Sequence, residues 1–572
     1  MICLYINLIN HKFEEQELDN RKKQLAISFY ISIIEYRGFF GGEFMGTYLN
    51  PGNSGFKRIL KDYYVDKTEM IELINNRIDT ADNLICISRP RRFGKSYAAQ
   101  MLCAYYDHTC DSDDLFKNYK IGATKDYKKH LKNYNVIYLD IAGIISKMNT
   151  NGISIRNIAN RIKELINQEI RLSFPTLPKY DDASDAILAC VADTKKMVVF
   201  IIDEWDAVIR EAKNDRETQK SYLDLLREWF KNGNFTSKAV AASYMTGILP
   251  IKKDGSESAI SDFDEYSVID PGEFAPYTGF TENEVKVLCE HYSMDFQKAK
   301  EWYDGYSFGE CHSIYNPYSV MQAMKRKSFK SYWRKTSKAE SLITYVNMNV
   351  DGLQEKVFRL IAGEPIEVYT DDFENDFETF NSSDDVLTLM IHLGYLVYDE
   401  ATSQVRIPNE ELRNEFRRLL KKPNNNRLGE FIRTSEQLLK DTLAGNEAAV
   451  VSTIEKVRET NYAPQYYNNE QSLRYVIKFA YIICIDRYLK VEELPTGRGI
   501  ADVVFLPNRD TALPAMIVEL KWEKTAETAI EQIKNRNYPA ILNGYCGEVV
   551  LVGINYDDRT KEHTCRIEKI NI

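Results

Sequence analysis

The segment from residue 84 to residue 106 restricts the fold more than any other part of this sequence. Leu84–Ser88 has the length and apolar character of a buried strand, and Tyr97–Tyr106 has helical character. Between them, Gly94-Lys95-Ser96 fits the end of the Walker A pattern G-x-x-x-x-G-K-[ST], in which backbone amides and a helix N-terminus receive phosphates. A strand, a phosphate loop and a helix in this order predict a parallel sheet with helices on both faces.

The phosphate loop departs from the general pattern at its first glycine, which is Arg89 here. A basic turn before a helix also occurs as a solvated corner without a ligand, so the interpretation needs support from elsewhere in the chain. Val198–Ile202 supplies that support, because this apolar run ends in Asp203 and Glu204, as a Walker B strand does. Asp203 would hold Mg²⁺, and Glu204 would polarise the attacking water. In the alternative interpretation, the two acids cap the helix that follows.

Further strands and helices alternate around these two motifs. Val136–Asp140 lies between them and Ala239–Gly247 follows them, so that the Walker B strand is third in chain order. Ser154–Glu169 and Gln219–Phe230 have helical character and separate the strands. Thr246, near the end of the fourth strand, is the polar residue that we expect to sense the γ-phosphate. The alternation predicts a mostly parallel sheet with flanking helices.

A second group of candidate residues lies near the C-terminus. Asp502 leads into one apolar, strand-like run, and Glu519 and Lys521 lie in the next one. Two carboxylates and a lysine at the adjoining ends of paired strands can hold Mg²⁺ and activate a water. Alternation puts Glu519 and Lys521 on one face of their strand, with Leu520 buried behind them. In the alternative interpretation, Asp502 is a turn residue and the other two are an exposed strand pair.

The region between these two parts is mainly helical. Asp385–Leu393 predicts a helix, Tyr395–Tyr398 and Gln404–Ile407 predict two paired strands, and Pro408–Glu411 opens another helix. A helix followed by a hairpin predicts a small winged-helix-like module. Lys421–Asn426 has the composition of a solvated linker.

Length and composition limit the class of protein. A chain of 572 residues is too long for one hydrophobic core, and about two to four domains are expected. The ten cysteines form no C-x-x-C pair and no zinc-spaced cluster, which favours a reducing compartment, the cytoplasm. No apolar run approaches the roughly 20 residues that a membrane helix needs, so we expect no membrane partner. The net charge of −10 neither supports nor excludes nucleic acid as a partner.

Residues 1–44 differ from the rest, because aromatic and charged residues mix there without clear periodicity. They end in Gly-Gly-Glu-Phe directly before Met45. In a bacterial gene these codons can contain a ribosome-binding sequence at the right distance from the Met45 codon. One hypothesis is therefore an over-extended start with translation beginning at Met45, and the other is a genuine short N-terminal extension. An intact mass of the natively expressed protein distinguishes the two.

Six short segments carry a resemblance to a known family. They are Tyr64–Thr68, Ser88–Ser96, Asp203–Asp206, Met245–Lys253, Trp302–Tyr306 and Tyr315–Ser319. Together they resemble the bacterial AAA-ATPase-like family, whose members typically carry a C-terminal nuclease domain of the PD-(D/E)XK superfamily. The phosphate loop of that family commonly begins Ser-Arg-Pro-Arg-Arg-Phe, so Arg89 fits the family.

The resemblance implies an α/β multidomain fold. Its parts would be a P-loop NTPase-type, AAA-like ATPase domain at 45–330, a helical and winged-helix-like region at 331–427, and a restriction-endonuclease-like α/β nuclease domain at 428–572. ATP and Mg²⁺ would be the cofactors, and nucleic acid, most simply DNA, would be the partner. The oligomeric state is left open.

The motifs and the resemblance together assign roles to single residues. ATP would be bound through Arg92, Phe93, Gly94, Lys95, Ser96, Asp203 and Thr246, with Ser96 and Asp203 as Mg²⁺ ligands and Glu204 as the catalytic residue that polarises the water. In the nuclease, Asp502 and Glu519 would bind Mg²⁺, and Lys521 would position the water. The remaining nuclease candidates are Glu470, which opens a helix predicted for Gln471–Leu489, Gln532 and Tyr538 of a Q-x-x-x-x-x-Y element, and Arg498 as a phosphate contact.

The leading hypothesis is an ATP-binding, Mg²⁺-dependent nuclease that hydrolyses DNA phosphodiester bonds, with the ATPase module gating or positioning the nuclease. The alternative is a nucleotide-switched nucleic-acid-binding or regulatory protein that does not cleave. The complete set of carboxylates and Lys521 favours cleavage, because a site no longer in use would be expected to lose one of them. Trp302–Tyr306 also has two interpretations, a stacking platform for bases or, as we favour, aromatic packing at a domain joint.

Overall fold

The computed structural model describes residues 46–251, 253–254, 257–258, 260, 262–333, 350–361, 363–371, 373, 382–420, 426–461, 469–481, 484, 488–496, 499–507, 513–535 and 547–571. These residues divide into two compact units. The first unit holds those within 1–87, 95–247 and 259–264, and the second holds those within 88–94, 248–258 and 265–572. Residues 1–44 and Met45, the linker residues 421–425, Arg498 and Tyr538 lie outside the described part, so the predictions made for them stay predictions.

A five-stranded sheet contains the predicted parallel strands. Its core strands β2, β3 and β4 pair in parallel, and the strand order is β2-β3-β4-β1-β7. The strands β1, β3 and β4 are buried along their whole length, which explains why their sequences are continuous apolar runs. The strand bounds are β1 Leu84–Ser88, β2 Asn135–Asp140, β3 Val198–Asp203, β4 Val240–Gly247 and β7 Asp264–Tyr266, with a short antiparallel pair, β5 Lys253–Asp254 and β6 Glu257–Ser258, preceding β7.

Helices connect the strands of the first unit. Asp140, Asp182 and Asp215 each cap the helix that follows, because their carboxylates accept a backbone N–H from its first turn. Ala239, predicted as a strand residue, is the last residue of a helix instead. The helix bounds are α1 Ser54–Ile59, α2 Met70–Asn75, α3 Lys95–Tyr106, α4 Asp113–Phe116, α5 Tyr127–His130, α6 Ile141–Thr150, α7 Ile158–Ser173, α8 Ala183–Thr194, α9 Ala207–Glu211, α10 Arg216–Phe230 and α11 Gly233–Ala239.

Residues 280–326 of the second unit form a small antiparallel sheet and three helices. Within the predicted aromatic segment, Tyr303 and Tyr306 are buried, and the Tyr306 hydroxyl donates to the carbonyl of Gly394 at 2.7 Å. Their burial favours packing over base stacking. The bounds are β8 Phe280–Thr281, α12 Glu282–Tyr292, α13 Phe296–Tyr303, β9 Tyr306–Phe308, β10 Cys311–Tyr315 and α14 Pro317–Arg326, and the sheet order is β8-β10-β9.

The middle region contains the predicted helix, hairpin and second helix. A short additional strand pairs with the hairpin, giving a three-stranded antiparallel sheet in the order β11-β13-β12. Helices beside a small antiparallel sheet agree with the winged-helix-like prediction. The bounds are α15 Leu353–Ile361, β11 Ile366–Glu367, α16 Ser383–His392, β12 Val397–Asp399, β13 Gln404–Arg406 and α17 Glu410–Leu420.

The C-terminal part is a mixed five-stranded sheet with helices. The helix predicted for Gln471–Leu489 ends at Ala480, because Tyr488 pairs with Pro507 in the sheet and packs its buried ring on Phe505. The sheet order is β14-β15-β16-β17-β18, with β16 and β17 parallel. The bounds are α18 Asn426–Ala444, α19 Glu447–Asn461, α20 Glu470–Ala480, β14 Tyr488–Thr496, β15 Gly499–Pro507, β16 Ala515–Trp522, α21 Ala526–Asn535, β17 Glu548–Asp557 and β18 Glu562–Asn571.

Apolar layers cover both faces of this mixed sheet. One layer joins Val518 and Leu520 to residues of α20, such as Leu473 and Val476. The other joins Ile517 of β16 to Ile530 and Ile533 of α21 and to residues of β17. Within the part of the chain that the structure describes, no helix is both long and apolar enough to span a membrane.

Candidate nucleotide and nuclease sites

Arg89 occupies the position where the general phosphate-loop pattern has glycine, and its side chain is fully buried. Its Nε donates to the Thr278 hydroxyl at 2.9 Å. Its Nη1 donates to the carbonyls of Tyr266 at 2.8 Å and Ser267 at 2.6 Å, and Nη2 donates to the carbonyl of Pro271 at 3.3 Å. The guanidinium group therefore holds the 266–278 segment together inside the second unit.

The backbone that follows Arg89 is also held by the second unit. The Asn316 side-chain amide donates to the carbonyl of Arg91 at 3.4 Å, and the Gly279 amide donates to the carbonyl of Phe93 at 3.0 Å. The guanidinium carbon of Arg92 lies 3.7 Å from the centroid of the Tyr318 ring. These contacts give a structural reason for the Tyr315–Ser319 segment in the family resemblance.

Two of the predicted loop residues differ in what their side chains can offer a ligand. The Phe93 ring is fully buried, 5.0 Å between centroids from the Tyr306 ring, so only its backbone is suited to contact a nucleotide. Gly94 has a φ of +93°, a conformation that glycine adopts without strain, and an added Cβ would meet no atom within 4 Å. The loop thus has open space above Gly94.

The helix that follows the loop begins with a buried lysine. Lys95 is only 6% exposed, and burial lowers its pKa to about 8, although the carboxylates of Asp203, Glu204 and Asp206 act in the opposite direction. A buried ammonium group is costly without a counter-charge. A bound phosphate would add such a counter-charge, so this position fits an anionic ligand.

Ser96, Asp203 and Thr246 lie together at the carboxyl ends of β3 and β4. The Thr246 hydroxyl donates to Asp203 Oδ1 at 2.6 Å. Burial raises the pKa of Asp203 above its usual range, while the hydroxyls of Ser96 and Thr246 lower it in part. A cation beside Asp203 would relieve the burial cost of its charge, and hydroxyl and carboxylate oxygens are ligands that Mg²⁺ prefers. Thr246 is fully buried and contacts Asp203, while its sensing role stays a prediction.

Glu204 directly follows β3 and forms an ion pair. Its Oε2 lies 2.7 Å from Nη2 of Arg210, and its φ of +52° is left-handed. Arg210 is held in turn by Asp206, whose Oδ2 lies 3.0 Å from the Arg210 Nε. Sequence reasoning missed Arg210, although its spacing of four residues from Asp206 on a helix is a recognisable ion-pair signal.

The predicted acid and lysine of the nuclease share one buried face of β16. Glu519 and Lys521 are 1% and 5% exposed, and Lys521 Nζ lies 3.0 Å from Glu519 Oε1. Gln532 of α21 donates from Nε2 to the same Glu519 oxygen. Leu520 is buried on the opposite face, as alternation predicts. Lys521 and Gln532, both predicted nuclease residues, therefore contact the predicted acid Glu519.

The backbone of β15 brings Asp502 to the same end of the sheet. Val503 pairs with Val518, and Asp502 and Glu519 are the next residues along their two strands. The side chain of Asp502 is outside the described part, so its contact with a metal stays a prediction. Glu470 is the half-buried first residue of α20, a helix that packs against β16, and its role as an additional acid also stays a prediction.

Gly553 is a site residue that sequence reasoning missed. It pairs with Glu519 across β16 and β17. A Cβ at this position would lie 2.4 Å from the Ala526 carbonyl oxygen and 3.0 Å from the Ala529 Cβ, both on α21. The absent side chain therefore lets α21 approach the sheet closely enough for Gln532 to reach Glu519.

The fold and these residues describe a phosphate-loop ATPase-like domain followed by a domain of nuclease architecture. Comparison with protein families agrees. Residues 52–256 match the AAA-ATPase-like family, described as a predicted AAA-ATPase, and residues 468–565 match the PD-(D/E)XK nuclease superfamily. The chain thus contains an AAA-ATPase-like domain and a C-terminal PD-(D/E)XK nuclease superfamily domain, as the resemblance implied.

Solved structures give weaker likenesses. Cdc6p from Pyrobaculum aerophilum is 11% identical, with a TM-score of 0.27 over 62% of this chain and 93% of that one. The ORC2 protein of Aeropyrum pernix, in its ADPNP–ADP complexes, is 12% identical, with a TM-score of 0.29 over 63% of this chain and 97% of that one. The ORC1 protein of Aeropyrum pernix, in complex with DNA, is 10% identical, with a TM-score of 0.26 over 66% and 98%. No curated protein matches this sequence significantly.

Proposed function

We propose that this protein binds ATP and Mg²⁺ and hydrolyses phosphodiester bonds of DNA, and that its ATPase domain gates or positions the nuclease. The observation that carries the proposal is that Lys521 and the half-buried Gln532 both contact the buried Glu519, on the strand that pairs with the strand of Asp502, in a domain of a nuclease superfamily. We also infer the domain bounds 45–330, 331–427 and 428–572 for the ATPase, the middle region and the nuclease.

In the proposed nuclease reaction, Asp502 and Glu519 would hold Mg²⁺, which would supply positive charge for activating the water and offsetting charge on the phosphate. Gln532 fixes the Glu519 carboxylate by donating to its Oε1. Lys521, 3.0 Å from the same oxygen, orients the attacking water or stabilises charge on the phosphate. The water oxygen bonds to phosphorus while the bond to the leaving sugar oxygen breaks. That oxygen leaves with a proton from solvent, and the proton of the water goes to solvent.

In the proposed ATP site, Lys95 would contact the outer phosphates, and Ser96 and Asp203 would hold Mg²⁺. Glu204 polarises the attacking water and accepts its proton. The water oxygen bonds to the γ-phosphorus as the bond to the β–γ bridging oxygen breaks, so that ADP leaves and the proton passes to the phosphate product. The support for these roles is the buried Lys95 beside three carboxylates and the contacts of Asp203 with two hydroxyls.

The test of the nuclease is cleavage of linear, circular and single-stranded DNA with Mg²⁺ or Mn²⁺, with and without ATP. We expect Asp502→Ala and Glu519→Gln each to lower the cleavage rate on the order of 100-fold or more, because each removes charge from the metal site. Glu562→Ala, which alters an exposed carboxylate on β18, is the matched control and should cleave like the wild type. Absence of metal-dependent cleavage on every substrate, with ATP binding intact, would favour the non-cleaving, nucleotide-switched protein instead.

A further inference from the structure

The acid proposed to polarise the attacking water is already engaged by a cation. Glu204 Oε2 lies 2.7 Å from Nη2 of Arg210. A charge-assisted hydrogen bond from a guanidinium group at this distance fixes the direction in which the carboxylate points. While this ion pair holds, Glu204 Oε2 is occupied by Arg210 and the carboxylate is not free to turn towards a water.

Arg210 is the fixed partner in this ion pair. Its Nε donates to Asp206 Oδ2 at 3.0 Å and its Nη2 lies 3.4 Å from Asp206 Oδ1, so that the planar fork of the guanidinium is held on two sides. The Asp206 side chain is 0% exposed and that of Arg210 is 11% exposed, whereas that of Glu204 is 35% exposed. Of the three side chains, that of Glu204 has the most room to move.

The backbone of Glu204 is fixed even though its side chain is partly exposed. The Glu204 amide donates to the Thr246 hydroxyl at 3.4 Å, and the next amide, that of Trp205, donates to the Thr246 carbonyl at 2.9 Å. The left-handed φ of +52° at Glu204 is strained for a residue with a side chain and persists because these contacts hold it. Release of the carboxylate from Arg210 thus requires rotation of the side chain and no change in the strand.

We propose that Arg210 restrains Glu204, so that ATP hydrolysis requires the Glu204 carboxylate to leave Arg210 and turn towards the attacking water. Arg210 is then a positioning residue that sets the resting rate of hydrolysis. This inference rests on the proposed ATP hydrolysis and adds a device that keeps it slow until the ion pair opens.

The first experiment compares steady-state ATP hydrolysis by the wild type and Arg210→Met, which removes the cation and keeps an unbranched side chain for packing. We expect kcat to rise about three- to tenfold, while the Kd for a fluorescent ATP analogue changes by less than about threefold. Arg210→Met combined with Glu204→Gln should hydrolyse no faster than Glu204→Gln alone, because the gain acts through Glu204. Arg161→Met, which removes a helix-surface arginine paired with Glu164, is the control.

A second measurement tests the ion pair without nucleotide. Thermal unfolding of Glu204→Gln, Arg210→Met and the double variant should give non-additive changes in Tm, because the first substitution already breaks the pair. Additive changes in Tm, or a kcat of Arg210→Met at or below that of the wild type, would overturn the restraint. A wrong assignment of the ATP site would show itself differently, because Lys95→Ala would then leave ATP binding unchanged.

Discussion

At the scale of single residues, Arg89 shows how a departure from a motif can be structural. The general phosphate loop has glycine there, whereas the Arg89 side chain donates to Thr278, Tyr266 and Ser267, which belong to the same unit as Arg89. A buried guanidinium group is stable only while its donors are satisfied. Arg89 therefore attaches this loop to the 266–278 segment through hydrogen bonds.

Replacing Arg89 should cost the protein stability. In Arg89→Met the carbonyls of Tyr266 and Ser267 lose this donor, and we expect a loss of about 2–5 kcal/mol in the free energy of unfolding, since each unsatisfied buried carbonyl costs roughly 1–3 kcal/mol. Arg89→Lys should recover only part of this, since an ammonium group cannot reproduce the fork. Urea unfolding measures both, with Arg326→Met, at an exposed position on α14, as the control. A loss below about 1 kcal/mol would contradict the structural role of Arg89.

The candidate residues differ in how far the sequence could predict them. Glu519 and Lys521 were predictable, because alternation on a strand fixes their common face before any tertiary contact is known. Arg210 and Gly553 were not, since their importance comes from what lies beside them in space. Arg210 matters through Glu204, and Gly553 matters through α21.

At the scale of elements, long apolar runs were predicted well and short or ambiguous ones were not. β1 and β3 are continuous buried runs, which periodicity identifies with little ambiguity. The helix predicted to reach Leu489 ends at Ala480, because the pairing of Tyr488 with Pro507 overrides local helical preference. β11 has only two residues and is a strand because it pairs with β13, so the local sequence pattern could not predict it.

The first turn of α17 contains a carboxyl group that should make stability depend on pH. Glu411 is 1% exposed, and burial raises its pKa from the ordinary 4.5 to about 7, although the amides of Tyr332 and Trp333, at 2.6 and 3.1 Å, act against the rise. The pKa of Glu411 is higher in the folded protein than in the unfolded chain, so protonated Glu411 stabilises the folded state. This stabilisation is complete below about pH 4.5 and is lost as the pH rises through 7.

Glu411→Gln should therefore change the pH dependence of unfolding. Glutamine keeps an oxygen for the two amides and carries no charge, so the variant should gain roughly 2 kcal/mol relative to the wild type between pH 5 and pH 8.5. Urea unfolding at the two pH values measures this difference. Glu310→Gln, at an exposed position, should show no such gain. An equal difference between variant and wild type at both pH values would exclude Glu411 as the titrating group.

At the scale of the whole molecule, the two candidate sites lie far apart in sequence and in separate family-matched domains. The ATPase-like match ends at residue 256 and the nuclease match begins at residue 468. Both domains were predictable because each contains a short local motif, Gly94-Lys95-Ser96 in one and Glu519-Leu520-Lys521 in the other. The middle region lies outside both matches, and its helix, hairpin and second helix were predicted from local sequence patterns alone.

Separate domains predict separable defects. Lys95→Ala should weaken ATP binding at least about tenfold, because the charge that faces the phosphates is lost, and should leave ATP-free DNA cleavage unchanged. Any effect of ATP on DNA cleavage should disappear in Lys95→Ala. Binding of a fluorescent ATP analogue and cleavage with and without ATP measure these outcomes, with Lys220→Ala, an exposed lysine on α10, as the control. Cleavage that still responds to ATP in Lys95→Ala would place the ATP effect at a different site.

Gly553 has a consequence for how inactive relatives of this protein would arise. The residue has no side chain and takes no part in proton transfer or metal binding, yet α21 can lie against β17 only because nothing projects there. A relative could retain every charged residue of the candidate nuclease site and still lose the contact between Gln532 and Glu519 through one added methyl group at this position. A survey that scores activity by the presence of the acids and the lysine alone would count such a protein as active. A glycine at the position of Gly553 should therefore be scored together with the charged residues when active and inactive relatives are separated.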